Sequence, residues 1–279
     1  MIKNNKINFN KKSILYILCL LFIIFLIIFF VSIKNIISWK KDSFNSDILI
    51  KEQFEDTNIL ESDDNEKTEV IKPEKDIPKE NPYWDYIKMK LISVDFKDLK
   101  KKNNDTVGWI QINGTNINYP FVQTNNNSFY LNHSFNKSKN NAGWVFMDYR
   151  NNSKNFNKNT IIYAHGRSDN TMFGSLKNIL KSKWLDNPNN FIIKLSTEEE
   201  NTLWQVFSVY KTPTTADYLA IDFLNKDVFL KFANKLVNRS QFNFNTSINE
   251  NDKMLTLSTC YDSREKVVLH AKLIKRESN

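Results

Sequence analysis

Two side chains in this sequence combine reactive chemistry with a position that could expose it. Cys260 directly follows Met254-Leu255-Thr256-Leu257-Ser258-Thr259, a strand-like run, and precedes the polar Tyr261-Asp262-Ser263. A thiol at the end of a strand, beside a loop, can reach solvent and substrate, whereas a structural cysteine more often lies mid-strand. The thiolate is the nucleophilic form, so such a site needs a base or a fixed positive charge nearby. Arg264, four residues on, could supply the charge. On position alone, a core cysteine at a strand end stays open as the alternative. His165 stands in the same kind of place, where Thr160-Ile161-Ile162-Tyr163-Ala164 runs into Gly166. Of the three histidines it is the natural partner for Cys260. His133 lies in the polar stretch Leu131-Asn132-His133-Ser134 and reads as a surface residue. His270 lies within the last strand, about 20 Å of extended chain from Arg264, and reads as a tolerated strand residue.

These spacings exclude other chemistries. No Cys-x-x-Cys or His-x-x-x-His pairing exists, so no metal is expected. With 5 glycines the chain has no Gly-rich phosphate loop, and no nucleotide or flavin fingerprint occurs, so no cofactor is expected. The formal charge of +8 comes from lysines scattered through Asn-rich sequence rather than from a basic helix or an Arg/aromatic stripe. Nucleic acid is therefore not an expected partner.

The elements that must hold Cys260 and His165 are short and β-rich. Segments at 107–112, 116–122, 143–148, 159–164, 191–195, 203–211, 254–259 and 266–274 read as strands, each bounded by Asn, Gly, Asp or Pro. Two helical patterns interrupt them. One runs from Thr171 to Leu180; the other runs from Lys226 to Val237, after Asn225 as a cap, with Val228, Phe229, Phe232, Leu236 and Val237 in one apolar stripe. Upstream, Pro82 suits a first helical turn followed by Trp84, Ile87 and Leu91, and a second short helix follows Asp95 through Phe96 and Leu99. Many short strands with few helices predict a mainly β fold with helices, a closed or nearly closed barrel.

Residues 14–33, ILYILCLLFIIFLIIFFVSI, carry no charge over the length needed to cross a bilayer as a helix. Lys3, Lys6, Lys11 and Lys12 precede them, which favours a cytoplasmic amino terminus. No small-x-small cleavage site comes after them, so the expectation is an uncleaved transmembrane anchor held in membrane lipid, with the rest of the chain outside. The chain then divides into a cytoplasmic segment 1–13, an anchor 14–33, a polar spacer 34–80 and a folded domain 81–279. Cys19 falls inside the anchor, which leaves Cys260 as the lone external thiol.

Thr256-Leu257-Ser258-Thr259-Cys260 matches the TLxTC signature of sortases, with Tyr163-Ala164-His165 about a hundred residues earlier and an Arg entering the final strand. Ile117-Asn118-Tyr119-Pro120-Phe121-Val122-Gln123, Asn127-Ser128-Phe129-Tyr130-Leu131, Ala142-Gly143-Trp144-Val145-Phe146-Met147-Asp148-Tyr149-Arg150 and Asn170-Thr171-Met172-Phe173-Gly174-Ser175-Leu176 resemble class B sortases in particular. The helix inserted before the TLSTC strand is another class B trait. The resemblance covers roughly residues 81–274 and implies a closed eight-stranded sortase β-barrel. It implies a cysteine transpeptidase that cleaves an LPxTG-like or NPxTN-like sorting signal of a surface protein after Thr, forms a thioacyl enzyme, and transfers the protein to an amine on a cell-wall precursor or cross-bridge. By position, Cys260 would be the nucleophile, His165 the acid and then the base, and Arg264 the group that orients substrate and stabilises the oxyanion. Asn127, Leu131, Tyr163, Thr214, Tyr218, Leu219, Ser258 and Thr259 match positions that line the peptide groove.

The sequence departs from the family where it matters chemically. Three residues separate Cys260 from Arg264, fewer than sortases commonly have. Aligned backwards from Val267-Val268-Leu269-His270-Ala271-Lys272, the family's arginine position falls on Lys266. Residues 264 and 266 share a strand face, and the planar guanidinium fork favours Arg264 for the role. A pilin-polymerising sortase, a simple cysteine peptidase and an inactive anchored binding module are the competing readings. The first usually carries an Asp-Pro-containing lid before the barrel, and no Asp-Pro occurs here.

Overall fold

A computed structural model describes residues 11–73, 77–260 and 264–279, without the side chains of Ser13, Phe54, Asp56 and Cys260. Lys3, Lys6 and residues 261–263 lie outside the described residues. The chain forms two units, residues 1–44 and 45–279. Helix α1 (Lys11–Asp56) begins in the first. Its residues 14–33 are exposed on every face apart from half-buried Leu26, and the helix is long and apolar enough to cross a membrane.

The second unit begins earlier than composition suggests. Much of 34–80 is regular structure rather than spacer. Ser46 and Gln53 of α1 are buried, and Leu49 and Ile50 pack on the main core. Strands β1 (Ile59–Ser62) and β2 (Thr68–Val70) come next, then the one-turn helix α2 (Tyr83–Tyr86) and β3 (Leu91–Val94), which pairs with β1. Leu91, which the helical spacing assigns to a helix face, instead opens β3. A six-residue helix α3 (Lys97–Lys102) then leads into the barrel.

The barrel strands are β4 (Thr106–Ile112), β5 (Asn118–Val122), β6 (Phe146–Met147), β7 (Asn159–Tyr163), β8 (Ile192–Ser196), β9 (Glu200–Pro213), β10 (Met254–Cys260) and β11 (Glu265–Ser278). They pair in the order β10-β7-β6-β5-β4-β8-β9-β11, and β10 also pairs with β11, which closes the ring of eight. Closure removes the unpaired edges that an open sheet would expose. β2 adds to β11 outside the ring. The two 14-residue strands β9 and β11 pair antiparallel with register shifts at His270/Ala271 and Leu273/Lys275, and such irregularities add the bend that a small barrel needs. Trp109, Trp144 and Trp204 are fully buried in the interior.

Two elements come out shorter than the sequence predicts. The strand expected at 143–148 is reduced to Phe146–Met147, because Gly143 turns the chain at φ 64°. The helix expected from Thr171 is a 3-10 helix over Gly174–Leu180, because Asn170 and Met172 take positive φ before it. A one-turn helix α4 (Ser182–Leu185) comes next. The second long helix, α5 (Lys226–Arg239), lies close to its expected bounds and is capped by Asn225, whose side chain accepts from Val228 N at 2.9 Å. Its Phe229, Ala233 and Leu236 bury against Phe207, Tyr210, Tyr218, Met254 and Val268 on the outside of the barrel. Each large apolar side chain so covered contributes about 1.5–3 kcal/mol.

His270 is a buried hub under α5 rather than a tolerated strand residue. It is fully inaccessible, with Nδ1 2.9 Å from Thr256 Oγ1 and Nε2 2.9 Å from Tyr210 Oη. Thr256 gives its own hydroxyl proton to Asn159 Oδ1 at 2.7 Å, so it accepts from His270 Nδ1–H, and Tyr210 donates to Nε2. That arrangement fixes a neutral imidazole. Burial, and then the Arg239 charge, push its pKa down to about 3. As pH falls below about 6.5, the unfolded chain takes up a proton at this residue that the folded chain refuses. Stability should therefore drop by up to about 1.4 kcal/mol per pH unit between about pH 6.5 and 3. Denaturant unfolding across that range should show the slope in the wild type and a flatter one in His270→Gln; equal slopes would contradict the assignment.

Candidate active site

Strand pairing brings the two reactive positions together. β10 lies parallel to β7, in register from Met254↔Asn159 to Ser258↔Tyr163. The pairing ends at Ser258↔Tyr163, and Cys260 and His165 each follow that last pair by two residues. On its other side β10 is antiparallel to β11, and Cys260 is the direct partner of Lys266. The Cys260 side chain is outside the described residues; its backbone ends the strand.

A cavity of about 570 Å³ opens at this end of the barrel. Of the eight expected groove residues, Leu131, Tyr163, Thr214, Tyr218, Leu219, Ser258 and Thr259 line it, together with Ala164, His165, Thr215, Ala216 and Lys266. Asn127 is not among the described lining residues; its Oδ1 accepts from Tyr149 N at 2.9 Å. Arg264 is exposed and is not among the described lining residues. Its carbonyl accepts from Thr214 N at 3.1 Å, which extends the β9–β11 ladder to the start of the 214–219 loop. Lys266, half-buried, is among the described lining residues.

His165 is oriented by backbone. Its Nε2 lies 2.7 Å from the Leu131 carbonyl, which can only accept, so Nε2 carries a proton. In the neutral ring Nδ1 is then the basic nitrogen, available for proton transfer. Phe173 N donates to the His165 carbonyl at 3.0 Å, and Arg167, buried, binds Asp169 and Thr171 to fix the next loop. His133 lies apart, stacked on Phe129 with ring centroids 4.0 Å apart.

The groove walls rest on a buried carboxylate, Asp148, which lies in one of the class B-like motifs but has no role assigned from sequence. Asp148 accepts from Arg150 Nε at 2.9 Å and Nη2 at 2.7 Å, and from Tyr163 Oη at 2.9 Å. Burial alone would raise its pKa, but hydrogen bonds from Arg150 and Tyr163 and the Arg150 charge hold it below the usual carboxylate range. Arg150 Nη2 also donates to the Leu219 carbonyl at 3.2 Å, joining one wall of the cavity to the other. Tyr218 Oη and Ser258 Oγ are 2.9 Å apart within the lining. Among the described residues no group of three His, Cys, Asp or Glu side chains is placed to hold a metal.

The sortase domain family matches residues 110–274. The chain belongs to the sortase family. Sortase B of Staphylococcus aureus is 39% identical over 184 residues, spanning 64% of this chain and 75% of the relative. A solved S. aureus sortase B–substrate complex superposes with TM-score 0.61 at 38% identity, over 64% of this chain and 84% of that one. A sortase B complexed with triglycine matches with TM-score 0.61 and 38% identity, over 64% and 85%. The chain is thus a cysteine transpeptidase of the sortase type that anchors surface proteins, and its closed eight-stranded barrel with a helix ahead of the cysteine strand is the sortase fold.

Gly143 is a further residue of those motifs to which sequence alone gives no role. Its φ of 64° disfavours any side chain, and a Cβ there would lie 2.5 Å from the Tyr130 carbonyl oxygen and 3.0 Å from His165 Cδ2. Gly143→Ala should cost about 1–2 kcal/mol of stability and, by displacing the imidazole, lower kcat/KM at least tenfold with little change in KM. Steady-state kinetics beside a melting curve would check this; wild-type kcat would show that the glycine does not seat His165.

Proposed function

We propose that the chain cleaves a sorting signal of the LPxTG or NPxTN type after its Thr and transfers the new carboxyl end to a cell-wall amine. Cys260 gives its thiol proton to His165 Nδ1 and attacks the Thr carbonyl carbon, and a thioacyl enzyme forms as the C–N bond breaks. His165 protonates the departing amine from Nδ1, then takes the proton of the incoming amine as that amine attacks the thioester. Leu131, Tyr163, Thr214, Tyr218, Leu219, Ser258 and Thr259 form the groove for the pentapeptide, and its largely apolar wall keeps water from competing with the amine. The observation that supports this reading is the parallel pairing of β7 and β10, whose last pair, Ser258↔Tyr163, lies two residues before both Cys260 and His165, with Tyr163, His165, Ser258 and Thr259 lining one cavity. The substrate and triglycine complexes of relatives supply the two kinds of reactant it requires.

The location accords with the same reading. Residues 14–33 anchor the chain in the membrane with the lysine-bearing amino terminus inside and the barrel outside, where surface proteins and cell-wall amines meet. Residues 1–13 form the cytoplasmic end.

The full chain, purified in detergent, can be offered quenched pentapeptides of LPxTG, NPxTN and SPxTG types, with and without triglycine. Cleavage after Thr, a new peptide–triglycine product, and loss of both in Cys260→Ala and His165→Ala are expected. Cleavage with no ligated product would favour a simple cysteine peptidase, and no cleavage by a folded chain would remove the proposal.

A further inference from the structure

We propose that a second cavity, across the rim of the barrel from Cys260, binds a saccharide that carries an acidic group, phosphate or carboxylate. Its place follows from the strand directions. β4 lies four strands from β10 whichever way the ring of eight is followed. The turn after β4 and the start of β8 come at the same end of the barrel as His165 and the ends of β7 and β10. There Gly114 of the turn, the 3-10 helix before α4, α4 itself and the approach to β8 enclose about 470 Å³, within the roughly 300–1,000 Å³ usual for small-molecule sites. The two cavities have no described lining residue in common, so a saccharide in this one leaves the peptide groove open.

Hydrogen bonds hold the floor of the cavity. Trp184 Nε1 donates to the Asn113 carbonyl at 3.1 Å, Asn113 Nδ2 to the Asn189 carbonyl at 2.9 Å, and Asn190 Nδ2 to the Trp184 carbonyl at 2.8 Å. Asn190 is more than nine-tenths buried and lines the cavity, yet its Oδ1 accepts no hydrogen bond from the described residues. A Cβ on Gly114 would lie 2.4 Å from that oxygen; the glycine, at φ 69°, keeps the space beside it open. A buried amide oxygen so placed costs free energy until a hydrogen-bond donor reaches it.

The lining chemistry narrows the ligand. Asn190 presents an acceptor. Asn178 and Asn187 present donors, because their Oδ1 atoms accept from Lys181 Nζ at 2.9 Å and Asn189 N at 3.1 Å. Hydroxyl groups, which donate and accept, match such a mixture. Lys181 and Lys183 add two ammonium groups, and among the described residues neither has a carboxylate partner; Asp186, the nearest acid in sequence, is not among the described lining residues. Trp184 is almost fully buried and packs on Phe191 with ring centroids 5.2 Å apart, so it offers no face on which a nucleobase could stack. Several hydroxyls and one acidic group on a small body describe an acidic sugar.

Calorimetric titration of the full chain in detergent with glucose 6-phosphate, glucuronate, glucose and inorganic phosphate tests this. At least one acidic sugar should bind about tenfold or more tighter than glucose and than phosphate, and more weakly as salt is added. Which of the two binds tells a phosphate-bearing ligand from a carboxylate-bearing one. In the double variant Lys181→Met, Lys183→Met the affinity should fall about tenfold with the melting temperature unchanged. Lys97→Met with Lys154→Met, two exposed lysines elsewhere, should keep it, and so should alkylation of Cys260 by iodoacetamide. No measurable binding of either acidic sugar at millimolar concentration would overturn the proposal. So would glucose or phosphate bound as tightly as the acidic sugars, wild-type affinity in the Lys181 and Lys183 variant, or loss of binding on alkylation. No readout here needs turnover, so failure of this site and failure of the transpeptidase reading remain distinguishable.

Discussion

Strand β10 is hydrogen-bonded along both edges, parallel to β7 and antiparallel to β11, and it is the strand at which the barrel closes. Its register toward β7 ends at Ser258↔Tyr163, two residues before both position 260 and position 165; its register toward β11 pairs position 260 with position 266. Because side chains alternate with period two, a slip of one residue on either edge would turn the reactive positions away from the cavity. Neither edge slips easily. Leu255 and Leu257 on one face belong to the main core, whereas Met254 on the other belongs to the cluster beneath α5. With apolar groups required on both sides, the geometry of the site depends on packing that extends well beyond it.

Polar groups under the groove add what apolar packing lacks, which is direction. Asn159, Thr256, His270 and Tyr210 form one hydrogen-bonded line from the parallel strand pair across β11 to β9. Arg239 of α5 sits over the Tyr210 ring, 5.9 Å from its centroid, and also binds Asp217 of the groove loop. The hydrogen bond from Arg239, with Lys235 behind it, holds the Asp217 carboxyl well below the usual carboxylate range. Asp217 is substantially exposed, so solvent screening leaves this contact worth little in overall stability. Its effect is local: it orders a loop whose neighbours Ala216 and Tyr218 line the cavity. The Asp148–Arg150 pair does the same from the opposite side, with a fully buried carboxylate and a forked donor that also reaches Leu219.

The parts of this structure legible in the sequence are those where one face repeats. The apolar stripe of α5, its Asn225 cap and the long alternating strands β9 and β11 carry periodic signals, and the TLSTC and YAH motifs place Cys260 and His165 at strand ends. The amino-terminal layer is not legible because its order is not periodic. β1 and β2 have four and three residues, too few to show alternation, and are held by polar contacts such as Ser62 and Asn65 on Glu277. Lys275, fully buried with Nζ donating to the Ile87 and Met89 carbonyls and paired with Asp64, reads in sequence as an ordinary surface charge. His270 misleads for the same reason. A histidine in a strand says nothing of Thr256 and Tyr210, which come from other strands and satisfy both ring nitrogens.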